Sequence, residues 1–364
     1  MNKLLLLGGT GAMGVYLREI LAAEGHHVLV TSRSARPSEP NIEYRVGNAR
    51  DISFVRDLLA KERPDAVVDF MIYSSSEFAA RRDVLLNGTR HYLFLSSYRV
   101  FNDDDVITEE SPRLLDTSRD QAYLTTDEYA LCKARSEDAL RRASSRNWTI
   151  IRPAITYSKS RFQLGCLEAN SFVARSLKGL PVVMPPEMRE RETTLTWGHD
   201  VALMIAKLVL NPKAYGEAFN CATAEHHPWG EVCKIYADVI GTKVCDCSVD
   251  EYIYITGAEA QVRYDRMFNR VLDNSKVLSV TGLRQEDFVS LRDGLTRELK
   301  WFVANGASCG MNAGVCARMD RVLGCHSSLR GIPWRDQVSY VTIRHPVASL
   351  PLRALRFAKH RIFT

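Results

Sequence analysis

The chain reads as an α/β protein: a doubly wound parallel sheet, then a smaller C-terminal lobe and a short basic appendage. Three observations predict this. Short apolar runs alternate with segments of helical spacing through the first half of the 364 residues. A glycine cluster sits where the first run gives way to the first helix, and the alternation loosens beyond Pro153. Strands separated by crossover helices specify parallel pairing, with helices on both faces of the sheet.

Lys3–Leu7 is the first strand, and the segment from Ala12 to Glu24 carries Met13, Tyr16, Leu17 and Ile20 on one helical stripe. His27–Thr31, Ile42–Val46, Ala66–Phe70 and Tyr92–Leu95 follow as strands, with a helix over Ile52–Lys61. A long helix is expected from about Asp120 to Ala143, and a sixth strand over Trp148–Arg152. Later, Ser171–Lys178, Val201–Leu210 and Trp229–Ile240 read as helices and Thr193–Leu195 as a short strand. Leu291, Leu295 and Leu299 mark a final amphipathic helix. The expected domains are 1–155, with elements near 193–222 returning to it, then 156–304, then an appendage over 305–364 that is too short for a core of its own.

Charge narrows the function classes. The net charge is +5, but residues 302–364 hold nine Arg/Lys against two Asp, so the body before them is near neutral. That pattern argues against a nucleic-acid-binding body. No run is long enough to cross a membrane, and Leu4–Leu7 is too short for a signal-peptide core. Nine cysteines without paired spacings predict free thiols and a cytoplasmic protein.

Gly8-Gly9-Thr10-Gly11-Ala12-Met13-Gly14 is the sharpest local signal. At a strand-to-helix junction, Gly8 and Gly11 permit a tight turn and the close approach of a pyrophosphate, and Gly14 lets the helix lie against the strand. An acidic residue after the second strand would hydrogen-bond an adenosine 2′-hydroxyl. Here the strand ends Thr31-Ser32-Arg33, where a hydroxyl and a guanidinium suit a 2′-phosphate, so NADP is expected, with NAD the alternative. Asn48 and Ala49 close the third strand where an adenine edge would lie; Asp51 is read either as part of that contact or as a helix cap.

Tyr129 and Lys133 are four apart, hence on one helical face. Phenols are poor bases at neutral pH, and an ammonium one turn away favours the ionised form. The pair follows an apolar strand ending Ser96-Ser97.

Together these segments resemble the extended short-chain dehydrogenase/reductase superfamily, in its nucleotide-sugar epimerase/dehydratase branch, over about residues 3 to 302. The glycine motif is similar to that family's Rossmann cofactor fingerprint, which assigns Gly8, Thr10, Gly11, Ala12, Met13 and Gly14 to the cofactor. Leu95–Phe101 resembles the loop bearing the catalytic serine, which places that role on Ser97, and Tyr129 and Lys133 match the catalytic pair. Ile151–Tyr157 resembles the Arg-Pro segment beside the nicotinamide, implicating Pro153 and Ile155. His199–Ala202 and Asp273–Lys276 add weaker matches.

Departures are equally specific. Leu7 replaces a usual Thr, Thr89 and Ser96 leave no room for the usual helix, and the serine loop lacks the Thr-Asp-Glu triplet of sugar 4,6-dehydratases. Thr193 stands where a substrate-loop arginine is expected, with Arg189 and Arg191 just upstream. The pattern is similar to the atypical epimerase-like group that includes chloroplast stem-loop-binding proteins.

The resemblance implies a nucleotide-sugar epimerase in which Ser97 and Tyr129 grip the substrate, with Arg191 and Arg263 on its nucleotide. An NADPH-dependent keto-sugar reductase and a non-catalytic RNA-binding member of the fold are the alternatives. A homodimer is expected. Arg263 and Arg266 read equally well as a charged helix face, and Trp197 and His199 as packing. No metal is expected, because Cys309, Cys316, Cys325 and His326 fit no common zinc spacing. Leu350–Thr364 interleaves basic and apolar residues, which suits either an anionic membrane surface, beside glycan assembly, or docking on protein.

Overall fold

The computed structural model describes residues 1–159, 161–306 and 310–345. The chain forms two compact units. The first comprises Met1–Arg161, Glu192–His227 and Phe268–Glu298; the second comprises Phe162–Arg191, Pro228–Met267 and the described residues from Leu299 onward.

The first unit is built on seven parallel strands, β1 (Lys3–Leu7), β2 (His27–Ser32), β3 (Ile42–Val46), β4 (Ala66–Asp69), β5 (His91–Leu95), β6 (Trp148–Pro153) and β7 (Glu217–Cys221), in the order β7-β6-β5-β4-β1-β2-β3. The apolar run Leu4–Leu7 feeds two cores because side chains alternate along a strand. Leu4 and Leu6 pack with Tyr16, Leu17 and Leu21 of α1 (Gly14–Ala23) and with Val201, Met204 and Ile205 of α5 (Gly198–Leu208). Leu5 and Leu7 face the opposite layer, with Leu58 and Leu59 of α2 (Ile52–Glu62), Phe78 and Leu85 of α3 (Ser75–Asn87), and Leu140 of α4 (Tyr129–Arg141). Strand order reverses between β1 and β4, where Leu7 pairs with Asp69. Crevices at the carboxyl ends of strands flanking such a reversal are where open α/β sheets bind ligands.

The expected long helix over 120–143 is broken. Leu114–Thr117 and Gln121–Leu124 are single turns, and α4 starts only at Tyr129. Thr125 and Thr126 turn their hydroxyls back onto the Ala122 and Tyr123 carbonyls, and Glu128 caps the new helix by accepting from the Ala130 amide at 2.8 Å. Local side-chain bonds thus compete with helix continuation, and they leave Tyr129 at a helix start rather than in mid-helix.

In the second unit, α6 (Trp229–Ile240) and α7 (Val249–Thr256) are joined by α8 (Ala313–Leu323) and α9 (Trp334–Arg344). Arg175 and Asp320, both almost wholly buried, pair at 2.7 Å. Asp320 also accepts from the Ser327 amide, the Cys325 thiol and the Tyr340 hydroxyl. Together with Ala313, Cys316, Ala317 and Tyr340, which form a small core, this network ties α8 to α9. No helix among the described residues is long and apolar enough to cross a membrane.

Candidate functional site

After Leu7 the chain turns at Gly8, whose φ of +71° lies in the left-handed region that favours glycine. Gly14 is required for a different reason: a Cβ there would lie 2.5 Å from the Gly9 carbonyl oxygen. Gly11 contrasts with both. A Cβ on it would meet only the Gly8 oxygen, at 3.9 Å, so its bareness leaves room above the turn instead of relieving a clash. α1 begins beside that room with no side chain capping its first amides. Open helix N–H groups suit phosphate, and the turn, with Thr10, Ala12 and Met13 half-buried in it, fits a dinucleotide pyrophosphate.

Ser32, buried, closes β2 opposite Val46. Its Oγ accepts from Arg36 Nε at 3.3 Å and from the Ser34 amide at 3.4 Å, while Arg33 is exposed. Arg36 thus brings a second guanidinium to the end of β2. Sequence reasoning missed it, although its spacing from Ser32 was visible. Asn48 is exposed and accepts from the Arg50 amide at 3.1 Å, whereas Ala49 is buried. Asp51 caps α2 through the Ser53 amide at 2.9 Å, which is the second of its two readings.

Ser97, Tyr129 and Lys133 come from the end of β5 and the first turns of α4. Ser96 and Ser97 are separated by their partners. The Ser96 hydroxyl donates to Glu137 Oε1 at 2.6 Å, and Arg152 forks the same carboxylate at 2.9 and 2.7 Å. Burial pushes the Glu137 carboxyl up, but the charge and hydrogen bonds of Arg152 outweigh it and hold the group below the usual range. Ser96 is therefore committed to the interior. Ser97 Oγ instead accepts from the Arg99 amide at 3.2 Å, which leaves its O–H to donate elsewhere.

Lys133 is almost wholly buried, with Nζ donating to the Leu95 carbonyl at 2.6 Å and to the Met71 carbonyl at 3.4 Å. Its Nζ stands 5.9 Å from the centre of the half-buried Tyr129 ring, and the Arg99 guanidinium lies over that ring at 5.1 Å. Arg99 is held by Glu128 at 2.7 Å. Nothing in the sequence pattern singled out Arg99 or Glu128; they pair across 29 positions. Such an arrangement can grip one oxygen with a hydroxyl and a phenol while keeping positive charge beside the phenol.

Pro153 ends β6 and Ile155 pairs with Leu195 in a short parallel strand; both are buried. In the second unit, Arg191 Nε is buried and has no hydrogen-bond partner among the described residues. Arg263 is half exposed and pairs with Glu259 at 2.9 Å and Asp250 at 3.7 Å. Arg266 is buried, donating to the Gly165 carbonyl at 2.9 Å. Trp197 and His199 stack at 4.6 Å, and Trp197 shares Glu298 with Tyr16, a packing arrangement. Cys309 and Leu350–Thr364 lie outside the described residues.

Residues 4–84 match the model of the NAD dependent epimerase/dehydratase family. Two curated relatives are each 25% identical to it over 66% of its length: a chloroplast stem-loop binding protein of 41 kDa from Arabidopsis thaliana and a 2′-dehydrokanamycin reductase from Streptomyces kanamyceticus. The matches cover 64% and 67% of those proteins. UDP-glucose 4-epimerase from Bifidobacterium longum, solved with NAD+ and UDP, shares the fold with a TM-score of 0.61 at 19% identity, over 84% of this chain and 99% of that one. The matched span, residues 4–84, contains the glycine turn that follows β1.

Proposed function

We propose that the chain is a nucleotide-sugar epimerase that works by transient oxidation of a sugar hydroxyl, with NADP as its cofactor. The observation that carries this reading is the gathering of Ser97, Tyr129 and Lys133 at the carboxyl end of β5 and the start of α4. The glycine turn, Ser32 and Lys133 would hold the dinucleotide, with Asn48 and Ala49 on its adenine side and Pro153 and Ile155 along its nicotinamide side. A nicotinamide bound there supplies hydride exchange.

The chain's own residues do the rest. Tyr129 takes the hydroxyl proton as the carbon is oxidised and returns it on reduction. Ser97, its oxygen already accepting from the Arg99 amide, turns its O–H toward the reacting oxygen. Lys133 keeps positive charge near the phenol. Between oxidation and reduction the sugar ketone would have to turn to present its other face. Arg191, whose Nε has no partner among the described residues, is the donor we assign to the substrate diphosphate; Arg263 is the second, once released from Glu259.

Ser32, Arg33 and Arg36 support NADP: two guanidinium groups and a hydroxyl favour a 2′-phosphate. Incubation with UDP-sugars and separation of product isomers tests the function. Interconversion without net cofactor use is expected, and Tyr129→Phe should reduce it at least ~100-fold. Net NADPH oxidation by a keto sugar, with no isomer formed, would replace the epimerase with a reductase. Wild-type turnover in Tyr129→Phe would end both.

A further inference from the structure

A carboxylate lies buried in the sheet behind Lys133, and none of the roles above uses it. Asp69 ends β4, where the otherwise apolar strand reads Ala66-Val67-Val68-Asp69, and it has no exposed surface. Its Oδ1 accepts from the Met71 amide at 2.9 Å and the Tyr73 hydroxyl at 3.3 Å. Its Oδ2 accepts from the Tyr92 hydroxyl at 2.8 Å. Burial raises the carboxyl's pKa, and these donors together with the Lys133 charge only partly offset that.

Two consequences follow from the neighbours. By binding its own Met71 amide, Asp69 folds Phe70-Met71 into a turn. The Met71 carbonyl in that turn receives the Lys133 ammonium, and the Met71 sulfur covers Gly8, within 2.8 Å of where a Cβ would stand. Asp69 also pairs with Leu7, the last residue before the glycine turn, and with Phe94, whose ring lies 4.6 Å from Lys133 Nζ. A buried ammonium whose direct partners are carbonyls needs a counter-charge, and Asp69 is a carboxylate whose charge acts on it.

We infer that Asp69 is a positioning residue for the nicotinamide half of the cofactor: it fixes the Met71 turn and balances Lys133, so that the ammonium is held for the ribose. This rests on the dinucleotide reading above. The strain of keeping a desolvated carboxylate predicts a function for it, because an amide of the same shape would cost the fold less.

The test compares two ligands on the full chain: NADPH, and 2′,5′-ADP, which lacks the nicotinamide ribose. Should NADH bind better, NADH and 5′-AMP serve. Asp69→Asn is expected to raise the NADPH dissociation constant about 10-fold and leave 2′,5′-ADP within about 2-fold. Lys133→Met should show the same pattern, and the double variant should be no weaker than Lys133→Met alone, since one residue acts through the other. If Asp69→Asn fails to fold, Tyr92→Phe keeps the question open to refutation: removing one donor should weaken NADPH about 3-fold and leave 2′,5′-ADP unchanged. Parallel loss of both ligands, additive losses in the double variant, or undiminished NADPH binding would overturn the inference while the cofactor reading stands. Failure of the wild-type chain to bind any dinucleotide would overturn both.

Discussion

Two buried ion pairs of the same chemistry stand in the two units, and they do different work. In the first unit Glu137 and Arg152, both about fully buried, pair at 2.7 Å, and the carboxylate also takes the hydroxyl of Ser96, next to Ser97. In the second unit Arg175 and Asp320 pair at the same 2.7 Å, and that carboxylate takes a thiol, an amide and a hydroxyl that join α8 to α9. Burial is alike in the two, so the cost of stranding a charge is alike. What differs is the neighbour: one pair braces a loop with chemistry on it, the other only helices. Stability and activity should therefore separate.

The largest effect is expected from Arg152→Met. It leaves Glu137 buried without its fork and frees the backbone of Glu109, whose carbonyl Arg152 also holds at 3.0 Å. A loss of about 3–5 kcal/mol is expected, measured by denaturant unfolding, together with a fall in turnover at least ~10-fold in the fraction still folded. Arg175→Met should cost the same ~3–5 kcal/mol yet leave turnover per folded molecule unchanged. Equal loss of turnover per folded molecule in both variants would erase the distinction between the pairs.

Acid sharpens the comparison next. Burial pushes both Glu137 and Asp320 up, yet their partners prevail and both carboxyls lie below the usual range. A depressed folded value means stability that is present above the unfolded value, near pH 4, and is lost as pH falls through the folded one. The stability these two carboxyls contribute should be lost only as pH falls below about 4. Burial pushes the His91 imidazole down to about 4, so it costs stability already as pH falls from about 6.5. Unfolding monitored between about pH 7 and pH 3 separates the two ranges. Asp69 has the opposite sign: its raised value favours the protonated form in the fold. Its contribution is present at low pH and fades as pH rises above about 4, so Asp69→Asn should gain on the wild type toward neutral pH.

These same residues mark where the sequence stops being readable. The alternation of strands and helices, the glycine turn and the Tyr129–Lys133 spacing were legible because period and proximity carry them: Leu4–Leu7 announces a strand buried on both faces, and four residues make one helical step. The break before α4 was not, because helical patterning over 120–143 hid the hydroxyls of Thr125 and Thr126 and the cap at Glu128. Nor were the polar groups that set the site's charge. Arg99 meets Glu128 across 29 positions, and Tyr92 meets Asp69 across 23; only folding brings them together. Asp69 itself left a trace, an acid inside an apolar strand, which a buried partner network explains. Arg36 left another, four residues after Ser32.

Arg99 and Glu128 offer the smallest effect on stability and the finest test of the contrast. Their pair is as short as the other two, 2.7 Å, but its side chains keep 13% and 21% of their exposure, so water screens it in part. Arg99→Met should therefore cost about 1–2 kcal/mol, less than either fully buried pair. Yet Arg99 touches both groups assigned to the reacting oxygen: its amide serves Ser97 and its guanidinium covers the Tyr129 ring. Only the guanidinium is lost in the variant. Turnover should then fall about 10-fold with the substrate KM unchanged, and Arg99→Lys should recover most of it if charge is what matters. Recovery by lysine would assign the effect to electrostatics at the phenol. No recovery, with the same small change in stability, would assign it to the planar fork that locks Glu128 at the start of α4. Either way, the least buried of the three pairs would be shown to matter more to the site than to the fold.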